Sequence, residues 1–345
     1  MNRATLEILY ALNRPKSFWE LLAQSRILLR DFVAELNDLY TNGFLSVQNG
    51  DITLTEKGKK MINLRKGDFV TQRCPKCRGK SIVFSGKFND VLEEFKKIVK
   101  NRPKAIPEFF QGCTIPEDVI FRLALMGYYN DITDKDILLI GDDDMVSIAL
   151  ALTELPKRVV VVDIDPRLRE FIEKINKERG FNIEFIEYDV AQPLPKELVN
   201  RFDVFSTEPL ETTSGFLAFV SRGASSLKEG GVGYIGLTTQ EVSFKRWREF
   251  EDALVKMGFA ITDIIRDFSD YFDNVDENGN VYESFTKELA FNVGKNPGIN
   301  WYKSSLIRVF SVAPLKPIKK WNESMPLNPV GKEDFTHPSL HKNCV

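Results

Sequence analysis

Histidine, paired cysteines and long apolar runs are scarce in this 345-residue chain, and each scarcity excludes a class of protein. Only two His are present, so a metal site that recruits His ligands is not expected. Of four Cys, only Cys74 and Cys77 are paired in sequence, which argues against a secreted disulfide framework. No apolar run is long enough to span a bilayer, and the N-terminus lacks the apolar core of a signal peptide. We therefore expect a cytoplasmic protein with no membrane partner.

An excess of one charge is also absent. The chain has 47 Lys and Arg against 49 Asp and Glu, a net charge of −2. This balance excludes nucleic-acid binding driven by bulk charge. The length suits two domains, and a hydrophobic content of 43% is ample for packed cores.

Residues 1–66 show the pattern of a winged helix. Apolar periodicity predicts three helices, and a hairpin with its turn at Asn49-Gly50-Asp51 follows them. The helices are predicted at 5–12, 18–24 and 27–40.

The charge of this module bears on its role. A winged helix can bind DNA through its third helix. Here the exposed positions of that helix are mostly acidic or neutral: Asp31, Glu35, Asn37 and Asp38 against Arg30. We therefore favour dimerisation or capping of a substrate site, and we expect a homodimer without a nucleic-acid partner.

Residues 67–131 are predicted to form a Cys-x-x-Cys knuckle and a helical linker. Cys74-Pro-Lys-Cys77 is half of a zinc ribbon, and the neighbouring sequence lacks the second half. Cys113 is a candidate third ligand. The alternatives are a knuckle without metal and a local disulfide, and we expect no metal in the functional site.

Residues 132–312 alternate strands and helices as in a doubly wound sheet, and we predict a Rossmann-like domain of the class I methyltransferase type. We expect the last two strands to form a closing hairpin, and the tail from 313 to 345 to be partly mobile. The predicted strands are 137–140, 158–162, 183–187, 202–206, 232–237, 260–266 and 287–293. The predicted helices are 145–155, 167–179, 214–228 and 242–257.

The first strand of this domain ends in an unusually acidic turn, Gly141-Asp142-Asp143-Asp144. A turn that cradles phosphate needs free backbone N–H groups and preferably glycines. Three adjacent carboxylates repel a pyrophosphate and attract a cation. The turn therefore predicts a nucleoside-like ligand that carries positive charge.

Acids also follow the next three strands, and strand ends are where open α/β sheets bind ligands. Asp163 lies 22 residues beyond Gly141, where a carboxylate can accept hydrogen bonds from ribose, and Asp165 follows it. Asp189 can bind an adenine amino group. The fourth strand ends in two further acids, Glu208 and Glu211.

These motifs resemble those of the aminopropyltransferases. Ile-Leu-Leu-Ile-Gly141-Asp-Asp-Asp144 matches the family's first turn, Val-Asp163-Ile-Asp165 its acidic ribose-binding strand end, and Asp203-Val-Phe-Ser-Thr-Glu208 its Asp-containing fourth strand. The Gly-Asp-Asp-Asp turn, the Asp-Ile-Asp strand end and an N-terminal winged helix together are similar to the branched-chain polyamine synthases. Where that family is expected to have Asp-Pro-Pro-Glu-Thr, this chain has Glu208-Pro-Leu-Glu211-Thr.

The resemblance implies an aminopropyl transfer from decarboxylated S-adenosylmethionine, a co-substrate and not a bound cofactor, to the secondary amine of spermidine. It implies that Asp144, with its neighbours Gly141, Asp142 and Asp143, holds the propylamine of the donor. It also implies that Glu208, aided by Glu211 or Asp143, orients the attacking amine. Further acceptor contacts are expected from Asp267, Asp270 and Tyr271, with Asp273, Asp276, Glu277 and Phe272 beside them.

Two other functions share these features. A methyltransferase that uses S-adenosylmethionine has the same fold, although its donor carries a carboxylate that the acidic turn disfavours. A winged-helix transcription regulator with a ligand-sensing domain is the alternative that is not an enzyme.

Overall fold

The computed structural model describes residues 2–62, 73–272 and 281–341. The first of these ranges contains helices and a three-stranded antiparallel sheet of order β1-β3-β2. These are the elements that the winged-helix prediction requires. They are α1 (Arg3–Ala11), β1 (Lys16–Ser17), α2 (Phe18–Gln24), α3 (Leu29–Thr41), β2 (Leu45–Gln48), β3 (Asp51–Leu54) and α4 (Glu56–Lys59).

Local sequence explains two features of this module. Ser17 and Glu20 form a capping box that starts α2, in which each side chain binds the other residue's backbone N–H. Asn49 and Gly50 both have positive φ, 53° and 87°, as a two-residue hairpin turn requires.

The N-terminal module shares its core with residues that follow 281. Phe285, Phe291 and Trp301 pack among the apolar residues of α1, α2 and α3, and Trp19 Nε1 donates to the Gly294 carbonyl at 2.8 Å. The strand predicted at 287–293 is therefore wrong. Residues 281–288 form a 3₁₀ helix. The apolar residues at alternate positions of 287–293 contact the N-terminal core and do not form a strand.

The Rossmann-like prediction is confirmed by an eight-stranded sheet of order β4-β10-β11-β9-β8-β5-β6-β7. Neighbouring strands from β9 to β7 are parallel, and β4, β10 and β11 pair antiparallel. The closing hairpin uses β11 in place of the predicted 287–293. The strands are β4 (Cys113–Thr114), β5 (Asp136–Ile140), β6 (Arg158–Asp163), β7 (Ile183–Glu187), β8 (Phe202–Thr207), β9 (Leu227–Thr238), β10 (Phe259–Phe272) and β11 (Lys303–Ser311).

Helices cover both faces of this sheet, and alternate residues of each central strand face opposite layers. Ile137 and Leu139 of β5 contact one layer, whereas Leu138 and Ile140 contact the other. The first layer contains α5 (Lys87–Val99), α6 (Pro116–Tyr128), α7 (Val146–Thr153) and α8 (Pro166–Arg179). The second contains α9 (Thr213–Ser226) and α10 (Phe244–Met257). Because α5 and α6 pack on this sheet, they belong to the Rossmann-like domain, and the domain boundary predicted at residue 132 lies inside that domain.

The C-terminal stretch from 313 to 341, expected to be partly mobile, packs along the domain. The buried guanidinium of Arg222 on α9 donates to the carbonyls of Val190, Lys320 and Glu323. Met325 N donates to the Ala191 carbonyl at 2.7 Å. These bonds hold the C-terminal stretch beside the ends of β7 and β8. In the part of the chain that the structure describes, no helix is long and apolar enough to cross a membrane.

Candidate active site

A cavity of about 340 Å³ lies at the C-terminal ends of the parallel strands, where the strand order reverses between β5 and β8. Most of the charged side chains on its wall are carboxylic acids, and no Lys or Arg of the described residues lines it. Among the described residues, His337 is the one basic side chain there. The lining acids are Glu108, Asp143, Asp144, Asp163, Asp189, Glu208, Glu211, Glu241 and Asp334.

The acidic turn after β5 begins at Gly141, whose φ of 79° suits glycine. Asp142 does not line the cavity, although we predicted that it binds the donor. Its buried carboxylate accepts hydrogen bonds from the backbone N–H and hydroxyl of Ser147, in the first turn of α7. The role that the structure gives to Asp142 is therefore to hold the turn against that helix.

Asp143 and Asp144 do face the cavity. Asp143 accepts a hydrogen bond from the backbone N–H of Gly112 at 3.1 Å, and Asp144 accepts from the backbone N–H of Thr114 at 2.6 Å and from its hydroxyl. Burial, followed by the charge of Asp144, raises the pKa of Asp143 well above its usual value. Burial, followed by the charge of Glu208, raises the pKa of Asp144. The turn therefore places at the cavity two carboxylates whose negative charge is poorly compensated by the protein.

Two of the acids predicted to bind the nucleoside, Asp163 and Asp189, lie at the ends of β6 and β7 and line the cavity. Asp163 accepts from the backbone N–H groups of Asp142 at 3.0 Å and Asp165 at 2.9 Å, and Asp189 accepts from Ala191 N at 2.8 Å. Asp165 was predicted to bind the donor, but it does not line the cavity. It is fully buried, caps α8 and bonds to Arg167 and Gln111, and it thereby fixes the start of the loop that follows Asp163.

Glu208 lies at the end of β8 and receives three donors. The guanidinium of Arg122 on α6, the hydroxyl of Tyr271 on β10 and the hydroxyl of Ser304 on β11 all bond to its carboxylate, the last at 3.2 Å. Gly236 on β9 leaves the room that Glu208 occupies, because a Cβ at that position would lie 2.4 Å from the Glu208 carboxyl carbon. Four strands and one helix therefore determine where this carboxylate lies.

A second acidic group lies deeper, around Glu211. Its carboxylate accepts from Thr238 N at 2.9 Å and from the Tyr302 hydroxyl at 3.0 Å, and burial raises its pKa to about 8. Glu241 accepts from the backbone N–H groups of Phe335 at 2.7 Å and Thr336 at 3.1 Å. The C-terminal stretch thereby joins the wall of the cavity.

Two of the expected acceptor ligands lie elsewhere. Asp267 pairs with Arg26 at 3.3 Å and Arg73 at 2.7 Å, and Asp270 pairs with Arg78 at 3.2 Å. Neither lines the cavity, because these carboxylates already have cationic partners that bind β10 to the knuckle and the N-terminal module. Tyr271, which follows Asp270 in β10 and therefore faces the opposite side of the strand, does line the cavity. Asp273, Asp276 and Glu277 lie outside the described residues.

The comparisons with known proteins agree with this geometry. Residues 90–334 match the family model of the branched-chain polyamine synthase A C-terminal domain. The chain belongs to the branched-chain polyamine synthase family. It is 36% identical over 311 residues to the N(4)-bis(aminopropyl)spermidine synthase of Thermococcus kodakarensis, covering 89% of this chain and 87% of that one. It is 39% identical to the enzyme of the same name from Methanocaldococcus jannaschii, covering 88% and 85%.

A solved structure extends the agreement to the fold. The crystal structure of the branched-chain polyamine synthase from Thermus thermophilus, in complex with N4-aminopropylspermidine and 5′-methylthioadenosine, superposes with a TM-score of 0.81. It is 32% identical and covers 96% of this chain and 92% of that one. These matches confirm the family resemblance drawn from the turn at 141–144.

Several residues of this synthase-family site were not anticipated from sequence: Thr114, Arg122, Glu241, Tyr302, Asp334 and His337. Arg122 lies on a helix whose sequence reads as core, and Glu241 and Asp334 come from loops distant in sequence. Among these six residues, only Tyr302, which forms an aromatic pair with Trp301, carried a usable signal for cation binding.

Metal ligands are not clustered in the residues that the structure describes. Cys74, Cys77 and Cys113 are free thiols, and Cys113 is buried in β4. His337 stacks on Phe110, and His341 Nε2 lies 2.6 Å from the Phe335 carbonyl. Cys344 lies outside the described residues.

Proposed function

We propose that this protein transfers aminopropyl groups from decarboxylated S-adenosylmethionine to the secondary amine of spermidine, giving N(4)-bis(aminopropyl)spermidine and 5′-methylthioadenosine. The observation that carries the proposal is a cavity lined by nine carboxylic acids and, among the described residues, by no Lys or Arg. Both substrates are polycations, and a cleft of one charge concentrates ligands of the opposite charge. A phosphate-bearing cofactor would be repelled.

The donor fits the side of the cavity formed by the ends of β5, β6 and β7. Asp163 would accept the ribose hydroxyls and Asp189 the adenine amino group, since both line the wall at successive strand ends. Asp143 and Asp144 would bind the propylammonium group and face the sulfonium. Ordinary S-adenosylmethionine carries a carboxylate at that position, which two buried carboxylates would repel.

The acceptor fits between Glu208 and the deeper acids. Its secondary amine would lie at Glu208, and a terminal ammonium group would reach Glu211 and Glu241, which line the same cavity. Tyr271 and Tyr302 present aromatic faces or hydroxyls to the same space, where cation–π contacts can add to the binding of ammonium groups.

The chemical step is a nucleophilic substitution at carbon. The lone pair of the acceptor nitrogen forms a new N–C bond to the propyl carbon, and the C–S bond breaks with its electron pair moving to sulfur. Sulfur thereby becomes the neutral thioether of 5′-methylthioadenosine. In the first transfer the substituted nitrogen then loses its N–H proton and becomes a tertiary amine; in the second transfer that tertiary amine attacks and becomes a quaternary ammonium, with no proton to lose. Because the leaving group is neutral, most of the acceleration must come from placing nucleophile and carbon in line. In the first transfer, Glu208 can orient the N–H of the acceptor toward that line.

Charge compensation links binding to protonation. Burial raises the pKa of Asp143, Asp144 and Glu211. A bound polycation favours the ionised carboxylates, so it lowers these pKa values and binding releases protons. Acceptor affinity should therefore increase as pH rises through about 8, the pKa of Glu211, while the amines stay protonated.

The test is incubation with decarboxylated S-adenosylmethionine and spermidine, followed by mass spectrometry of the polyamines. The proposal predicts gains of one and then two aminopropyl units, with 5′-methylthioadenosine released. Fragmentation must place both groups on the secondary nitrogen. A linear product would refute the acceptor assignment, and a methyl gain from ordinary S-adenosylmethionine would refute the donor assignment.

A further inference from the structure

We propose that Arg122 is a positioning residue that determines the protonation state of the acceptor nitrogen. Its guanidinium neutralises the Glu208 carboxylate on the side away from the cavity. Because of this, Glu208 does not stabilise the neighbouring amine as an unreactive ammonium ion. This inference rests on the proposed function and adds to it a residue that contacts neither substrate.

The geometry separates Arg122 from the substrate space. Its side chain is only 3% exposed and does not line the cavity, whereas Glu208 does. The guanidinium Nη2 donates to Oε1 of Glu208 and lies 3.4 Å from the Ser269 hydroxyl. Glu208 therefore stands between Arg122 and the acceptor, with the guanidinium on its protein side.

The other groups around this pair do not replace the cation. The second Glu208 oxygen accepts from the hydroxyls of Tyr271 on β10 and Ser304 on β11, which are neutral donors. From the turn after β5, Asp144 adds a further negative charge near Arg122 and Glu208. The carboxyl groups of Asp143 and Glu211 also interact electrostatically with Glu208. Burial lowers the pKa of Arg122, but Glu208 and Asp144 raise it more, so the side chain stays charged. Among the described residues that bond to Glu208, Arg122 is the one cation.

The reaction explains why this cation matters. Substitution requires a nitrogen with a free lone pair, so the acceptor must react as a neutral amine. A bare carboxylate against an amine stabilises the ammonium form and raises the pKa of that amine, by about 1–3 units at contact distance. A guanidinium on the same carboxylate cancels much of that field. The cavity can thus attract a polycation with its outer acids and still leave one nitrogen easy to deprotonate at Glu208.

The test compares the pH dependence of kcat in wild type, Arg122→Gln and Arg122→Lys, with both substrates saturating. The kcat profile reports groups in the substrate complex. For Arg122→Gln we expect the rising limb to move toward alkaline pH by about one unit, equivalent to about a tenfold loss of kcat at neutral pH. The loss should recover at higher pH, and KM for spermidine should stay equal or fall. Arg122→Lys keeps the charge and should restore the wild-type limb.

Arg308→Gln is the matched control. Arg308 is also a largely buried arginine paired with a carboxylate, Asp131, and it lies four residues from Ser304 along β11, roughly 13 Å away. Its loss should lower stability without moving the limb. Arg122→Met supplies a second neutral variant if Arg122→Gln does not fold. A loss of kcat that is equal at every pH, or a raised spermidine KM, would overturn the inference. If wild type makes no aminopropylated product, the proposed function fails instead.

Discussion

Gly236 on β9 offers a test of the position of Glu208 that leaves every charged group in place. A methyl group at Gly236 would lie 2.4 Å from both the carboxyl carbon and Oε2 of Glu208, whereas ordinary contact begins at 3.4 Å. In Gly236→Ala the carboxylate must therefore retreat by about 1 Å, and a misplacement of this size costs about 100-fold in rate. Gly236 has no positive φ, so alanine fits the strand backbone. The displaced carboxylate would also lose part of its bonding to Arg122, Tyr271 and Ser304, so the free energy of unfolding should fall by about 1–3 kcal/mol.

The assay measures kcat/KM from 5′-methylthioadenosine release, together with the midpoint of thermal unfolding. Gly127→Ala on α6 is the control, because its methyl group would meet only Phe88, at an ordinary 3.6 Å. It should leave both quantities near wild type. The reasoning is refuted if Gly236→Ala turns over at the wild-type rate, or if lost activity is accompanied by an equal loss in the control.

Three further predictions concern the acids and the C-terminal stretch. Asp144→Asn should lower kcat/KM by about 30-fold or more, since one partner of a buried charge pair is worth about 2 kcal/mol or more, while the unfolding midpoint stays close to wild type. Because the folded pKa of Glu211 is raised from 4.5 to about 8, the ligand-free protein should lose stability as pH rises through that interval; a midpoint that rises instead would contradict this. Arg222→Met removes the donors that hold the carbonyls of Val190, Lys320 and Glu323, so limited proteolysis should cut the C-terminal stretch faster than in wild type.

Sequence periodicity predicted the sheet well where local pattern decides structure. The buried strand before Gly141 and the alternating helices after it follow from runs of apolar residues bounded by turns. The strand-end acids Asp144, Asp163 and Glu208 could be placed at one edge because the carboxyl ends of parallel strands meet there. Those three residues do line one cavity.

The failures come from contacts between segments distant in sequence. The apolar residues of 287–293 alternate like a strand, but Phe291 packs on the N-terminal module, and no local signal distinguishes the two. Asp142 turns toward α7 although it is adjacent to two acids that face the cavity. Arg122 on an apolar helix became visible only once the fold placed it against Glu208.

The central claim is that an acidic cleft selects a donor that has lost its carboxylate. The most direct measurement is competition: equal concentrations of decarboxylated and ordinary S-adenosylmethionine with spermidine, the products being resolved by mass spectrometry. The account predicts that spermidine gains aminopropyl groups and no methyl groups. It also predicts that the Asp144→Asn variant has a smaller difference in affinity between the two donors than the wild type. Methylated spermidine, or equal affinity of the wild type for the two donors, would contradict it.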